Sequence, residues 1–575
     1  MSKFYFILYR FSSILTFLRL SILALLCFLL PAPSVSAQEQ VKGIVWQPPA
    51  RFEKAKQDLI DMKSIGIEAI KTPLITDERL YSVADSLNLS LYQDLPFSYL
   101  PSSELVQSIE EAKSLLESAL RNASSHPSAR HFGLTAYSNT GVESSCRFVT
   151  ELVNFARSRS SANYRFYYST FFIEQELCAD DVDLVLVDVQ NDQDYSVKMR
   201  RWAQSHPQTP MGLANIGTWV INSPSEEDKT KGYLSEHSEE FQARFLENTL
   251  KELLVEPSDA KPHVLFVYRW RDTRLPYPSP AHNLSQPYRN PYGMISSGNQ
   301  TRLAYDVLKG FYLGNQYVFA FPAGQANSSS PQWITLLVWL NILILSIAYA
   351  YFPRFRLMAR RYFTAHGFFR EAIREGRELL IGPNVLIFLA LSSAFGLCVT
   401  VALDAFRKTE ASSLVLRWIP ESISFTAVAL LSQPLLLFIA LAGTYGLLLS
   451  FWTSALSVIS TRSRWTLLPG QSFMLVLWSQ WPLLLVMIGA GVVHSMEQPQ
   501  LSRMALLLVA ALILLIASGM LFTLRDYWYI SKANPAIVTV SLIINPITLF
   551  LAAVCYYCIQ YADQLIFALH VVQTY

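Results

Sequence analysis

Two kinds of hydrophobic pattern divide the chain. Over residues 41–314, short apolar runs alternate with stretches whose apolar residues recur at helical spacing. Gly43-Ile44-Val45-Trp46 reads as a strand, and residues 52–65 as the helix after it. Residues 67–71 form the next predicted strand, 78–87 the next helix, 91–94 the third strand and 103–122 a long helix. Residues 130–136, 165–172, 184–189, 211–214 and 264–270 supply five more strands. Eight strands alternating with helices over this length predict a (β/α)8 TIM barrel. A doubly wound sheet is the competing α/β arrangement, but no G-x-G-x-x-G follows the first strand.

Beyond residue 332 the pattern changes. Apolar runs occupy 333–352, 385–406, 424–452, 471–495, 503–524 and 535–560, each long enough to cross a bilayer core of roughly 30 Å. The expected architecture is therefore an α/β barrel followed by an all-α polytopic membrane domain of about six transmembrane helices. The runs hold almost no ionisable groups, with Asp404 and Asp563 near their ends, which argues against a charge-coupled transporter or channel. Pro434, Pro482 and Pro546 are places for helices to kink. Residues 353–384 interleave basic residues with Phe355, Met358, Tyr362, Phe363, Phe369, Ile373 and Leu379. That segment reads either as an amphipathic helix on the membrane surface or as a plain stop-transfer charge cluster.

Charge sharpens the division. Residues 38–331 carry 28 Lys+Arg against 35 Asp+Glu, a balance of −7, and residues 332–575 carry 15 against 9, a balance of +6. The first 37 residues add three basic groups and no acid, which restores the net charge of +2. With 51% hydrophobic and 16% charged residues, a purely soluble enzyme is excluded, and an acidic barrel disfavours nucleic acid as a partner. Loops 353–384, 453–470 and 525–534 hold 7, 2 and 2 basic residues, eleven in all, against Arg407, Lys408, Arg417 and Arg503 in the opposite loops. The positive-inside rule then puts the barrel on the exported side of a plasma or inner membrane.

Residues 1–37 are expected to be a secretory signal: Lys3, Arg10 and Arg19 precede an apolar run at 20–30, and Val35-Ser36-Ala37 offers a cleavage site. An uncleaved anchor is the alternative reading. The expected organisation is then signal 1–37, barrel 38–320, linker 321–332, first transmembrane helix 333–352, basic amphipathic segment 353–384, five-helix membrane domain 385–562 and tail 563–575. Cys146 and Cys178 can pair in an oxidising compartment or remain two buried thiols. Cys555 and Cys558 sit in an apolar run without a nearby His, so they read as helix surface, and no spacing in the chain points to a metal or other cofactor.

Residues then carry a resemblance. Asp58, Met62-Lys63, Gly66 and Lys71-Thr72, then Leu80-Tyr81, Asp85 and Leu91-Tyr92-Gln93-Asp94, resemble the barrel of glycoside hydrolase family 2, which includes β-glucuronidases and β-galactosidases. So do residues 183–195, Glu236 to Glu247, Trp270 with Asp272, and Tyr292-Gly293 before Arg302 and Tyr305. With the barrel expected directly after the signal, the family's N-terminal β-sandwich domains are expected to be absent. In the membrane half, an amphipathic stretch before residues 385–562, with Gly470-Gln471-Ser472-Phe473 and Trp481-Pro482, resembles the layout of the Yip1 family.

The family 2 resemblance implies two catalytic carboxylates, because glycoside hydrolysis needs one to protonate the leaving oxygen and one to attack or to activate water. At the nucleophile position, after strand seven, this chain has Asn215. At the acid/base position, after strand four, it has Tyr137 or Thr140, the latter preceded by Asn139. The Arg that braces the nucleophile in the family is Lys71, and its nearby His is Leu74. Fallback acids at strand ends are Asp94, Glu143, Glu174 and Asp188, with Glu176 and Asp192 beside them; Glu143 equally reads as a helix-start charge. Trp46, Lys71, Asp94, Tyr137, Asn139, Asn215, Trp219 and Trp270 are the candidate ligand-binding set, the aromatics because ring faces stack on sugars. The expectation is a membrane-anchored glycosidase-like barrel that binds or senses a cell-envelope glycan or oligosaccharide without hydrolysing it. A divergent glycosidase or transglycosidase with relocated carboxylates is one alternative. An interaction scaffold with an envelope protein partner is the other, and fold alone does not choose among the three.

Overall fold

The computed structural model describes all residues except 1–39, 160–162, 171–175, 190–194, 222–231, 257–260, 281–285, 326–331, 377–380, 497–499 and 575. The expected signal, part of the linker, Glu174 and Asp192 lie outside the described residues.

Eight parallel strands close into a barrel in chain order: β1 (Val41–Val45), β2 (Ala69–Pro73), β3 (Ser90–Asp94), β4 (His131–Ala136), β5 (Arg165–Thr170), β6 (Leu184–Asp188), β7 (Met211–Ile216) and β8 (Val264–Val267). Closure is direct, with Lys42 of β1 opposite Leu265 of β8. The strands are apolar on both faces because both are covered, one by the barrel interior and one by helices. Around them lie α1 (Phe52–Ser64), α2 (Arg79–Ser86), α3 (Ser102–Gln107), α4 (Ile109–Ala123), α5 (Glu143–Arg159), α6 (Tyr195–Ser205), α7 (Glu239–Leu250) and α8 (Leu303–Leu313). The helix expected over 103–122 is broken at Ser108, whose hydroxyl donates to the Glu104 carbonyl at 2.9 Å and competes with continued helix pairing. Inside the barrel, Tyr92, Tyr167, Leu186, Ala214 and Phe266 pack as one cluster. Tyr92 stacks on His131 at 4.0 Å and meets Phe266 edge-on at 5.0 Å. A disulfide joins Cys146 and Cys178, which settles the pairing that spacing left open.

Among the described residues the second half is built from helices: α9 (Trp333–Tyr351), α10 (Pro353–Thr364), α11 (His366–Arg374), α12 (Ile381–Arg407), α13 (Glu410–Arg417), α14 (Glu421–Leu431), α15 (Pro434–Ser460), α16 (Pro469–Ser479), α17 (Leu483–His494), α18 (Gln500–Ser531), α19 (Pro535–Ile544), α20 (Pro546–Gln560) and α21 (Ala562–Thr574). Among the described residues four helices are long and apolar enough to cross a membrane, or up to six if the bent pairs α16–α17 (45°) and α19–α20 (60°) each count as one span. Pro482 and Pro546 sit at those bends, where a missing N–H breaks the helix ladder. Pro434 has a larger effect than a kink. The span expected over 424–452 is split into α14 and α15 because Pro434 disfavours helical backbone at Gln433. Outward-facing Leu336, Trp339, Leu447, Leu507 and Leu514 are exposed, as lipid-facing positions are.

Segment 353–384, read above as an amphipathic helix or a charge cluster, is helical over Pro353–Thr364 and His366–Arg374. Its helices α10 and α11 bury Phe355, Met358, Phe369 and Ile373 against the bundle. One buried acid anchors them. Asp526 accepts from His366 Nε2 at 2.7 Å and from Arg370 Nη2 at 2.7 Å. The expected span ended at residue 524, but α18 continues to Ser531 and carries Asp526 within it.

Candidate functional site

Alternation along each strand decides what reaches the C-terminal mouth of the barrel, where barrel chemistry sits. Lys71, Asp94 and Asp188 share inward parity with Ala69, Tyr92 and Leu186 of the interior cluster. Lys71 Nζ pairs with Asp94 Oδ2, and the Tyr167 hydroxyl donates to Asp94 Oδ1 at 2.8 Å. Gly133 makes room for this group, since a Cβ there would lie 2.4 Å from Asp94 Oδ1.

Two register shifts shape the rest. One falls between Gly133 and Ala136 in β4, the other between Leu213 and Ile216 in β7. Such shifts re-aim side chains at barrel rims. Tyr137 (φ +57°) and Asn215 (φ +55°) take left-handed backbone there, a region Asn tolerates and Tyr seldom enters. The result is a contact: Asn215 Nδ2 donates to the Tyr137 hydroxyl and, at 3.2 Å, to Asp188 Oδ2. Tyr99 stacks on Tyr137 with ring centres 4.5 Å apart.

Burial and the charges of Asp188 and Asp94 push the Tyr137 phenol well above its ordinary range; burial, with Asp94 beside it, does the same for Tyr167. Both phenols stay protonated and act as donors or acceptors, never as bases at neutral pH. Asn215 is an amide and forms no glycosyl ester. The mouth thus brings together Lys71, Asp94, Tyr137, Asp188 and Asn215 from the expected set.

Other expected positions lie elsewhere. Trp46 and Trp270 were expected at the mouth, but both are fully buried in the core between strands and helices. Trp46 Nε1 donates to Asp58 of α1 at 3.1 Å, and Trp270 lies 5.8 Å from the Tyr305 ring of α8. Trp46 shares the outward parity of Ile44, whereas Trp270 lies past the end of β8 and reaches the core despite the inward parity of Phe266. Trp219 stacks on His237 at 3.6 Å in the loop after β7. Asn139 is a turn residue, its side chain accepting from Gly141 N at 3.1 Å. Thr140 is buried and donates to Glu176, so it serves a structural carboxylate. Burial raises the pKa of Glu176, which also accepts from Cys178 N at 3.0 Å. Glu143 is an exposed first-turn residue of α5.

Several mouth residues were not anticipated: Tyr99, Tyr167 and Tyr268. Asn290 Nδ2 donates to the Tyr268 hydroxyl at 2.6 Å, and Arg269 donates to it at 3.2 Å. Inward parity with Asp94 and Asp188 is the signal that finds Tyr167 and Tyr268.

The membrane half closes part of the mouth. Ala136 and Tyr137 pack with Ala411 and Leu414 of α13 and with Phe567, Ala568 and Val571 of α21. Polar contacts flank this patch: Gln564 Nε2 donates to Glu104 Oε1 at 3.0 Å, and Ser413 to Ser279 at 2.8 Å. On the β8 side the rim stays open as a cleft of about 580 Å³, lined by Thr273, Arg274, Tyr288, Arg289 and Ser297, with Phe425 of α14 as its far wall.

No family model matches the chain, and no curated protein matches it. Among solved structures it is similar to a GH2 β-galacturonidase from Eisenbergiella tayi bound to galacturonate (16% identity, 49% of this chain, 52% of that chain, TM-score 0.42). It is also similar to an uncultured Clostridium sp. β-glucuronidase (14%, 48%, 50%, 0.41). A third is Ruminococcus gnavus β-glucuronidase in complex with uronic isofagomine (13%, 49%, 51%, 0.41). The chain spans about half the length of each of these proteins.

Proposed function

We propose that the chain is a membrane-embedded, glycosidase-like barrel without hydrolytic chemistry, which binds a glycan presented at the exported surface of a plasma or inner membrane. The observation that carries this reading is the contact of Asn215 with Tyr137 and Asp188. Hydrolysis needs two carboxyl groups free to exchange protons or attack. Here the residue at the end of β7 is an amide, and Asp94 is occupied by Lys71 and Tyr167. The hydroxyls, the amide and the two carboxylates that remain suit hydrogen bonding to sugar hydroxyls. Incubating the full chain in detergent with a panel of aryl glycosides and oligosaccharides tests the reading. Binding by calorimetry without turnover supports it, and turnover abolished by Asp188→Asn overturns it.

A second reading is an active glycosidase or transglycosidase with relocated carboxylates. One observation favours it: Asp94 and Asp188 both act on the Tyr137 phenol, so both surround one point of the mouth. Turnover lost in both Asp94→Asn and Asp188→Asn would support this second reading over the first.

A further inference from the structure

We propose that the cleft between the β8 rim and α14 binds the phosphate of an amphiphile from the adjoining leaflet. This stands apart from the glycan reading, because the phosphate site holds whether or not the barrel takes a sugar.

After β8 the chain forms a short antiparallel ribbon, β9 (Thr273–Arg274) with β10 (Arg289–Asn290). Its register sets Arg274 directly opposite Arg289. Residues so paired share a face, and like charges there repel unless an anion lies between them. Both arginines are exposed, and neither has an acidic partner among the described residues. Arg274 lies over the Tyr288 ring at 5.8 Å, which fixes the side chain along the cleft wall. The one acid in the lining, Asp272, is already neutralised. It accepts from Arg302 at 2.9 and 2.7 Å and from Gly293 N at 2.8 Å. The cleft therefore presents two guanidinium forks and the Ser297 hydroxyl to its contents. Guanidinium forks match phosphate oxygens bidentately.

The opposite wall selects for a tail. Phe425 is 64% exposed and Ile423 is 56% exposed on α14, an apolar helix that leads through Pro434 into the span α15. A cationic wall facing a lipid-side aromatic across about 580 Å³ fits a phosphate head whose chain leaves along α14. A phospholipid and an isoprenoid phosphate share this chemistry.

The full chain in a neutral detergent, with phosphatidic acid, an isoprenoid phosphate or inorganic phosphate added, is read by native mass spectrometry. The wild type is expected to retain at least one of the two amphiphiles, and the better-retained one names the source. The exposed double substitution Arg274→Gln/Arg289→Gln should weaken retention about tenfold or more, as loss of charge-assisted hydrogen bonds does. Phe425→Ser should weaken amphiphile retention and leave inorganic phosphate binding unchanged. Unchanged thermal melting of the double variant shows that the fold is intact. Equal retention by wild type and double variant overturns the proposal, and so does inorganic phosphate bound as tightly as the amphiphiles.

Discussion

Asn215 and Tyr137 meet across the barrel mouth, each at left-handed backbone and each beside a register shift in its strand. Two departures from regular strand geometry thus converge on one hydrogen bond next to Asp188. Replacing Asn215 by Asp puts a second carboxylate against Asp188 and removes the amide donor. One of the two acids then titrates high, because like charges in one site do not both ionise cheaply. Asn215→Asp should destabilise the chain by about 1–3 kcal/mol near neutral pH, with the loss shrinking towards about pH 4 as the pair takes up a proton. Thermal unfolding of the full chain in detergent at both pH values checks this, and a loss independent of pH would contradict it.

Lys71 is buried and pairs with Asp94 beneath that contact. Lys71→Met leaves Asp94 without its cation and should cost about 3–5 kcal/mol, whereas Lys71→Met/Asp94→Leu should recover most of it. The double-mutant cycle, completed by Asp94→Leu and read by thermal melting, decides, and a double loss equal to the sum of the two single losses would show that the pair is not coupled.

Much of this was legible before the structure, and the reason differs by element. The barrel strands were readable because each buried strand is a short apolar run bounded by polar turns, as Leu184 to Asp188 illustrates. The site was legible where a strand kept its period of two: Lys71, Asp94 and Asp188 follow directly. The residue type of Trp46 and Trp270 suggests a sugar platform, but the parity of Trp46 points to the helix layer, and Trp270 lies past the end of β8, where alternation gives it no direction. Tyr137 and Asn215 approach each other only through register shifts, which no apolar pattern encodes. The covering of Tyr137 by Leu414 and Phe567 joins positions far apart in the chain, and neither segment carries a signal of its own. Asp526 falls within 525–534, a segment expected to be a loop, whereas it is a buried anchor within α18.

The Cys146–Cys178 disulfide closes a loop with a sequence separation of 32 between β4 and β6. Chain-entropy reasoning gives such a loop about 3–4 kcal/mol. Reduction, or the Cys146→Ser/Cys178→Ser variant, should lower the melting temperature of the full chain by several degrees. An unchanged melt after verified reduction would refute this.

Phe567 is buried against the barrel at Tyr137, together with Leu414. Phe567→Ala removes the largest buried side chain that α13 and α21 bring to that patch and should free both helices from the rim before it affects either core. Hydrogen exchange should speed up in α13, α21 and residues 97–99, with β1 to β8 unchanged. Exchange unchanged in α21 would mean that the polar contacts of Gln564 and Ser413 suffice to hold the rim.

His131 lies at the barrel floor, stacked on Tyr92, and burial together with the nearby Arg165 charge lowers its pKa from 6.5 to about 4. A depressed histidine pKa means that the unfolded chain takes up a proton at higher pH than the folded chain. The folded state is then unaffected above about pH 6.5 and loses stability as pH falls towards 4, by up to about 3 kcal/mol. Glu176 acts in the opposite sense, since its raised pKa makes the folded state bind its proton first. Comparing wild type with His131→Phe across this range isolates the histidine. The difference in melting temperature between the two should narrow, or turn in favour of the variant, as pH falls from 6.5 to 4. Parallel curves would show that His131 takes up its proton at the same pH in the folded and unfolded chain.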